Sequence, residues 1–513
     1  MIQQLPSATD TPVAPMAIRG RLITDDLVEM GGRGGDLKFR TPDVHKYIDE
    51  IPLRSPSDLS DLYEISFGEI LDYVANLGDH LRIESNAHLQ QACRLSYLTA
   101  PTTPPIIDKV YGTLHRLFSR ERVRELADKT IGIDYLEGWV EKELSTGIRI
   151  AVRCFGSRAL HIVAGNSPTV SVQTIIRNII LRSDAIIKTP SNDPFTALAI
   201  AQTMIDIAPD HPITKHLTVA YWRGGDEAFE EKLYQPHRIE KIVAWGGFSS
   251  LKHVTRYIQP GLELIALDPK RSTSVIGKEA FANDATMRDV ARRLATDIGA
   301  MNQVGCVNSR VSYLMTGTDD HGIKAINTFG QYVYDALMHL PETTSTKPKL
   351  YDRDLKEHVD ALRLEGDWFH VIGGRKEEGA IIVSQIPDAV EFSTLLNDRT
   401  ANLVPIDSTD DLLAAVNSYT QTVGVYPESL KDQLLNILPL YGAQRFVSLG
   451  YALQTTEGVA PHDGIEIMRR MGKWIVNETC VPEKVPPLWE QWSSNGSSLP
   501  EETGARRLAA LKA

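Results

Sequence analysis

The sequence predicts an α/β protein with parallel sheets. Between about residues 184 and 245, short β-branched runs alternate with helical stretches: strands near 184 to 188, 217 to 221 and 240 to 245, and helices near 194 to 207 and 226 to 234. Strands separated by helices of this length need crossover connections, which favour a parallel sheet. A second alternating block runs from about 272 to 480, and 513 residues allow two to four domains.

The composition excludes several classes of protein. Hydrophobic residues make up 42% and charged residues 23%, which is typical of a folded globular protein rather than a disordered chain. The net charge of -12 is spread along the sequence and disfavours a nucleic-acid partner. No apolar run approaches the roughly 18 residues of a membrane span, and the amino terminus lacks a signal pattern, so we expect a cytoplasmic protein without a membrane span. Four separated cysteines without a CxxC pair suggest neither a disulfide frame nor a metal site.

The elements before the first alternating block are predicted as follows. Residues 1 to 50 form an N-terminal arm, loose to about 40 because of its scattered Pro and the glycine run at 31 to 35. Residues 56 to 136 are mainly helical, and 147 to 164 give two strands in a hairpin-like arrangement around a Gly-Ser turn. A helix follows from about 169 to 181. The last 21 residues are predicted as a polar linker that ends in a short helix.

Cys306 is the first candidate for chemistry. It lies where a helix carrying Val290, Leu294 and Ile298 on one face ends and a strand begins near Arg310, a kind of connection that often presents catalytic groups. A thiolate suits acyl transfer through a thioester, and Gly305 leaves room for a carbonyl. The alternative is one more buried cysteine, since free cysteines are among the most buried residues.

Three further candidate sites lie at the ends of predicted strands. The Asn166 amide follows an apolar strand and suits an oxyanion, although Gly-Asn-Ser-Pro is also an ordinary turn. Lys188 ends a buried strand, and Gly246 and Gly247 follow another, which together indicate a nucleotide crevice. The alternative for the lysine is a solvated strand end. No GxGxxG or GxxxxGK[ST] motif occurs in these turns, so phosphate binding needs another loop geometry.

The order of these residues resembles the aldehyde dehydrogenase superfamily: Asn166, Lys188, a glycine turn, Glu263 and Asn302-Gln303-x-x-Cys306. The segments HIVAGNSP, AIIKTPSNDPFTALA, DHPITKHLTVAYW, IVAWGG, DPKRSTSVI and the late HDG resemble the LuxC family, the fatty-acyl reductases of bacterial bioluminescence. The resemblance covers roughly residues 140 to 480.

The resemblance implies an aldehyde dehydrogenase-like fold with two open α/β sheet domains, one for the cofactor and one for catalysis, and a small β arm that pairs subunits. The implied boundaries are 51 to 270 for the nucleotide-binding domain, with the arm at about 138 to 156, 271 to 445 for the catalytic domain, and 446 to 513 for a return segment and tail. The implied reaction reduces a fatty acyl thioester, carried on CoA or on a partner protein, to the aldehyde with NADPH. A homodimer or homotetramer, and a partner protein that transfers the acyl group, are implied as well.

Carried over residue by residue, Cys306 takes the acyl group and Asn166 holds the oxyanion. Lys188 faces the ribose, and Ser191 stands where NAD-preferring relatives have a glutamate, so no carboxylate repels the 2′-phosphate of NADPH. Glu263 fits the place of the general base. Its segment, however, departs from Glu-Leu-Gly-Gly-Lys and its separation from Cys306 is longer than usual, which weakens that role.

Two questions stay open from the sequence. The His462-Asp463-Gly464 segment is either a turn in the substrate wall, which we favour, or an acid group near the reacting carbon. The function has two rivals: a dehydrogenase that oxidises aldehydes to acids, which must activate water, and a catalytically silent acyl-binding scaffold.

Overall fold

The computed structural model describes residues 11–31, 37–145, 148–454 and 458–480. Within these ranges the chain forms two mixed sheets of seven strands, a three-stranded sheet and a two-stranded sheet. None of the helices in the described ranges is long and apolar enough to cross a membrane. The same ranges contain no group of three or more His, Cys, Asp or Glu side chains that could hold a metal ion.

The N-terminal part contains four short strands and a set of helices. The strands are β1 (Met16–Ile18), β2 (Arg21–Ile23), β3 (Leu27–Gly31) and β4 (Lys38–Pro42). The α-helices are α1 (Phe67–His80), α2 (Ala87–Thr99), α3 (Pro104–Tyr111), α4 (Arg120–Thr130) and α5 (Ile133–Glu137), with 3-10 helices at Val44–Tyr47, Pro56–Tyr63 and Leu114–Phe118. Helix α1 begins with a capping box between Ser66 and Glu69, and its apolar face is buried. The predicted helical character of 56 to 136 is confirmed.

The first large sheet is built mainly from the middle of the chain. Its elements and those beside it are β5 (Val140–Glu143), β6 (Arg149–Phe155), β7 (Arg158–Ile162), α6 (Pro168–Leu181), β8 (Asp184–Lys188), α7 (Thr196–Ile207), α8 (Pro212–Lys215), β9 (Leu217–Ala220), α9 (Glu227–Leu233), β10 (Lys241–Trp245), α10 (Phe248–Thr255) and β11 (Glu263–Leu267). The strand order is β11-β10-β7-β8-β9-β1-β2, with β7 to β11 parallel. The predicted parallel sheet is confirmed.

Successive side chains on these strands enter different cores, as the pleat of a strand requires. Ile187 and Val243 belong to the large core that includes the N-terminal helices, whereas Ile186 and Ile242 belong to the core with α9 and α10. Both faces are therefore covered, which explains why these strands are almost uniformly apolar.

The second large sheet follows. The elements that follow in the chain are β12 (Arg271–Ile276), α11 (Asp284–Gly299), β13 (Ser309–Leu314), α12 (Asp320–Met338), α13 (Arg353–Leu362), β14 (Phe369–Gly373), β15 (Ala380–Ser384), β16 (Ala401–Pro405), α14 (Asp410–Leu413), β17 (Thr420–Tyr426), α15 (Glu428–Leu434), α16 (Leu438–Tyr441), β18 (Arg445–Ser448), α17 (Ile467–Met471) and β19 (Lys473–Thr479), with 3-10 helices at Lys278–Phe281, Ala300–Gln303 and Glu391–Leu395. Strands β12 to β18 form this sheet. The order is β14-β15-β16-β13-β12-β17-β18, and only β14 runs antiparallel to its neighbour. Val290, Leu294 and Ile298 are fully buried in its core, as predicted.

The expectation of a loose N-terminal arm is wrong for the described residues. Strand β1 pairs antiparallel with β9 and extends the first sheet, and Met16 and Ile18 are buried in its core. Arg19 adds an ion pair with the buried Asp184, with Nη2 at 3.0 Å from Oδ2. Strand pairing between such distant segments cannot be predicted from the local composition. Residues 1–10, most of the glycine run and the tail after 480 lie outside the described residues.

The expected hairpin at 147 to 164 is also wrong. Strands β6 and β7 both form, but β7 lies in the first large sheet and β6 lies in the three-stranded sheet β19-β6-β5. Strand β6 pairs along its whole length with β19. Between β6 and β7, an added Cβ at Gly156 would lie 1.9 Å from the Arg182 carbonyl oxygen, so the chain passes here only without a side chain.

Candidate active site

Asn166 lies in the connection between β7 and α6, at the carboxyl edge of the first sheet. Its loop is tightly packed: an added Cβ at Gly165 would lie 1.9 Å from Asn192 Oδ1, and Asn192 Nδ2 donates to the Gly165 carbonyl at 2.9 Å. Asn166 Nδ2 donates to the Val304 carbonyl at 3.4 Å, two residues before Cys306. The structure therefore brings the predicted oxyanion amide to the loop that carries the predicted nucleophile.

The segment 301–310, which we call the cysteine loop, has an unusual backbone. Met301, Asn302 and Gln303 have φ values of 53°, 53° and 66°, in the left-handed region that costs non-glycine residues free energy. Side chains hold this conformation. Asn302 Oδ1 accepts from the Thr346 N–H at 2.8 Å. Left-handed residues of this kind cluster at functional sites, and these three immediately precede the part of the loop that carries Cys306.

Three buried side chains tie the rest of the cysteine loop. Gln303 Nε2 donates to the carbonyls of Ser309 and Thr400 at 2.9 and 3.1 Å. Asn308 Oδ1 accepts from the Gly305 N–H at 3.0 Å, and Asn308 Nδ2 donates to the carbonyls of residues 297, 298 and 300 at the end of α11. Arg310 donates to the carbonyls of residues 303, 305 and 308 from within the loop itself. The position of Cys306 is thus fixed by a dense set of hydrogen bonds.

The Cys306 thiol is partly buried, and burial raises its pKa. The polar side chain of Gln421, on β17, and the positive charge of Arg310 oppose this effect, whereas the charge of Asp463 adds to it. A thiol held in this state needs a proton acceptor before it becomes the nucleophile.

Lys188 ends β8, next to β7 in the first sheet. Its ammonium group lies 5.5 Å from the Trp222 ring centroid and 6.0 Å from the Tyr221 ring centroid, and it has no hydrogen-bond partner among the described residues. Burial lowers the pKa of Lys188 to about 8, while the Glu230 carboxylate acts in the opposite direction. An amine in this state is available to a ligand oxygen.

The other cofactor candidates lie at the same end of the sheet. Ser191 is half-buried in the turn after β8, and Gly246 and Gly247 link β10 to α10. Gly247 is the residue before the first turn of α10 and, as a glycine, offers no side-chain cap. The backbone N–H groups of the first turn therefore have no capping side chain at this position. An added Cβ at Gly247 would meet nothing within 4 Å. We call Lys188, Ser191, Gly246 and Gly247 the lysine edge.

Glu263 does not join this group. It is the first residue of β11 and pairs in register with Lys241, the first residue of β10, whereas the crevice lies at the other end of these parallel strands. Its carboxylate is bound by Arg470 at 2.8 Å and by Lys241 at 3.0 Å. The five residues of β11 put it roughly 13 Å along the strand from the crevice edge. The expectation of a base beside Cys306 is therefore not met at this residue.

The segment 462–465 forms a tight turn, as favoured from the sequence. The backbones of His462 and Ile465 exchange two hydrogen bonds, and Asp463 and Gly464 have positive φ values. The turn spans the two sheets. The His462 ring lies 5.2 Å from the Trp245 ring at the end of β10, and Asp463 Oδ1 accepts from Gln421 Nε2 at 2.5 Å beside Cys306.

Several site residues carried no signal in the sequence. Gln421 and the cationic Arg445 act on the Cys306 environment from β17 and β18, more than 100 residues away. The local sequence likewise gave no signal for a role of Trp222, Glu230 or Arg177 in the site. Only Arg310, four residues after the cysteine, stood near enough in sequence to be noticed, because an arginine in an otherwise buried strand is uncommon.

Comparison with known proteins gives a family and a fold. The sequence model of the family described as "Acyl-CoA reductase (LuxC)" matches residues 62–474. A long-chain acyl-protein thioester reductase from Photorhabdus laumondii is 29% identical over 328 residues, which make up 63% of this chain and 64% of that protein. The protein of the same name from Vibrio harveyi is 24% identical over 423 residues, 81% of this chain and 84% of that protein.

Solved structures of aldehyde dehydrogenases share the architecture. Lactaldehyde dehydrogenase from Escherichia coli superposes with a TM-score of 0.69 at 11% identity, covering 91% of this chain and 99% of that one. The NADP-dependent glyceraldehyde-3-phosphate dehydrogenase from Bacillus halodurans, in complex with NADP, gives 0.70 at 9% identity, with 91% and 98% covered. At these identities the likeness establishes the aldehyde dehydrogenase-like fold, which confirms the predicted fold class.

Proposed function

The chain belongs to the LuxC family of acyl-CoA reductases, and on that premise we propose that it reduces a fatty acyl thioester to the aldehyde through an acyl-enzyme on Cys306, with NADPH as the reductant. The observation that carries the proposal is the approach of the Asn166 amide to the cysteine loop, with Nδ2 at 3.4 Å from the Val304 carbonyl oxygen. A thiol and an amide donor in this relation suit attack on a thioester carbonyl.

In the first half of the reaction, the Cys306 sulfur attacks the carbonyl carbon and the donor thiolate leaves. Asn166 Nδ2 and the Cys306 backbone N–H stabilise the oxyanion of the tetrahedral intermediate. The carbonyl of Cys306 accepts from Ser272 Oγ at 2.7 Å, which fixes the peptide that follows the nucleophile. The donor is an acyl-CoA or an acyl-protein, and the similarity to long-chain acyl-protein thioester reductases supports a protein donor.

The lysine edge suits a nucleotide. The Lys188 amine has no hydrogen-bond partner within the described part of the chain and fits a ribose oxygen, and the open space at Gly247 in front of α10 fits a phosphate group. A bound reduced nicotinamide nucleotide supplies a hydride. Ser191 adds a hydroxyl and no negative charge beside the ribose, which favours the 2′-phosphate of NADPH.

The position of Glu263 disfavours an aldehyde dehydrogenase that hydrolyses its acyl-enzyme. Such an enzyme must activate water next to the thioester, and the Glu263 carboxylate is held by Lys241 and Arg470 at the opposite end of β11. Glu263 therefore does not activate water against the acyl-enzyme.

The proposal is tested by mass spectrometry with a series of acyl-CoA chain lengths and with an acylated carrier protein. We expect a mass gain of one acyl group on the peptide that contains Cys306, and release of aldehyde when NADPH is added. Absence of acylated peptide with every donor contradicts the proposal, and release of acid in place of aldehyde supports the dehydrogenase.

A further inference from the structure

The crevice contains an imidazole with a buried nitrogen that makes no hydrogen bond to the residues that the structure describes. His462 Nε2 is shielded from solvent and accepts or donates no hydrogen bond among the described residues, although an edge of the ring is exposed. A buried polar nitrogen without a partner is costly unless it serves a purpose. The proposed reaction leaves one task without a residue, the transfer of the Cys306 proton, because Glu263 lies at the other end of its strand.

Hydrogen bonds link the turn that carries this imidazole to β17, and β17 to the cysteine loop. His462 Nε2 lies 3.5 Å from Asp463 Oδ1, and the same carboxylate oxygen accepts from Gln421 Nε2. The next residue on β17, Thr422, donates its backbone N–H to Ser272 Oγ, and Ser272 Oγ in turn donates to the Cys306 carbonyl. On its other side the His462 ring packs against Trp245. The turn therefore bridges the end of β10 and the cysteine loop, across the crevice in which the thioester reacts.

From this geometry we infer that His462 is the proton acceptor and donor of the thioester reaction, with Asp463 orienting it and stabilising its charged form. The inference rests on the proposed function and adds a residue to it. In the acylation step the S–H bond of Cys306 breaks and an N–H bond forms at His462 Nε2, while the sulfur bonds to the acyl carbon. The donor C–S bond then breaks, and the leaving thiolate takes the proton from the imidazolium. After hydride transfer the thiohemiacetal oxyanion expels the Cys306 thiolate as aldehyde forms. That thiolate then takes one proton from solvent through His462, so the cycle consumes one proton in all.

The charges that face His462 suit this role. Burial lowers its pKa, the Asp463 carboxylate on its own turn raises it, and the cations Arg177 on α6 and Arg445 on β18 lower it. The net shift is downward from the ordinary value of about 6.5, so the imidazole is neutral at pH 7 and its lone pair is free.

Arg177 is unusual in its own right. Its side chain is almost wholly buried, and the described residues offer it no acceptor within hydrogen-bond distance. Its guanidinium carbon lies 6.0 Å from the centroid of the Trp245 ring. A buried cation without a compensating partner raises the free energy of the folded protein. The position of Arg177 is explained if its charge serves to keep the imidazole of His462 neutral.

The closing experiment compares His462→Ala with His321→Ala, a matched change on the exposed first turn of α12. We expect His462→Ala to lower turnover by about 10²-fold and added imidazole to restore part of it, because the shorter side chain leaves room for the free base. In His462→Ala we expect the acid limb of the pH profile of kcat/KM to be absent. We expect His321→Ala to match the wild type.

Two further readouts keep the inference falsifiable. Alkylation of Cys306 by iodoacetamide needs no acyl donor; we expect it to slow near neutral pH in His462→Ala, whether or not the acyl substrate is correctly chosen. Arg177→Gln removes a cation, so it raises the pKa of His462 and moves the acid limb to higher pH. Unchanged alkylation in His462→Ala, or an acid limb that does not move in Arg177→Gln, overturns the role of His462. Failure of wild-type acylation instead counts against the proposed function alone.

Discussion

The two sides of the crevice use their polar groups in opposite ways. In the cysteine loop, Gln303, Asn308 and Arg310 direct their donors to backbone carbonyls, so the loop that carries the proposed nucleophile is held in one strained conformation. At the lysine edge, the Lys188 amine has no hydrogen-bond partner among the described residues, and Gly247 faces open space. A nucleophile needs a fixed position, whereas a site for a ligand that binds and leaves needs donors that are unoccupied until it arrives.

The largest effect is expected at the fixed side, from Cys306→Ser. A hydroxyl is far less acidic than a thiol, so we expect acylation and turnover to fall by about 10⁴-fold or more. Mass spectrometry after incubation with acyl-CoA measures acylation, and circular dichroism checks that the variant is folded. Acylation that persists in this variant removes Cys306 from its role.

Asn166→Ala tests the amide that joins the two sides. We expect kcat to fall by about 10²-fold, as for the loss of one oxyanion donor, with nucleotide affinity nearly unchanged. Steady-state kinetics and fluorescence titration with NADPH separate the two quantities. A loss confined to nucleotide binding would assign Asn166 to the lysine edge instead.

Ser191→Glu tests the lysine edge alone. A carboxylate here accepts hydrogen bonds from the ribose hydroxyls of NADH and repels the 2′-phosphate of NADPH, so we expect the NADPH-to-NADH ratio of kcat/KM to fall by about tenfold or more. Ser191→Gln has a similar size without the charge and serves as the control. Equal ratios in the wild type and both variants would mean that Ser191 lies away from the ribose.

The smallest effect is expected from Glu263→Gln, because Glu263 belongs neither to the cysteine loop nor to the lysine edge. Glu263 lies at the far end of β11 in a partly exposed ion pair, so we expect kcat to stay within about twofold and the free energy of unfolding to fall by about 1 kcal/mol or less. Turnover assays and urea denaturation measure these. A loss of kcat as large as that of Asn166→Ala would restore Glu263 as the base.

The fold was predictable where the pattern is local. Strands such as β8 and β10 are short apolar runs between helices, and their residues alone predict parallel strands. The pairing of β6 with β19 was not predictable, because the partners are separated by more than 300 residues. The same reason explains the N-terminal arm: β1 is a three-residue strand that forms only because the edge of β9 offers it backbone partners.

The candidate site divides in the same way. The sequence by itself determined which residue types stand at the strand ends, and so it identified Asn166, Lys188 and Cys306, because a short motif is carried by neighbouring residues. Only the tertiary structure decided which of them meet. The register of β11 against β10 removes Glu263 from the crevice, and the turn at His462 and Asp463 enters it beside Gln421. Distance in space and the direction of a strand follow from packing between distant segments, which no local pattern contains.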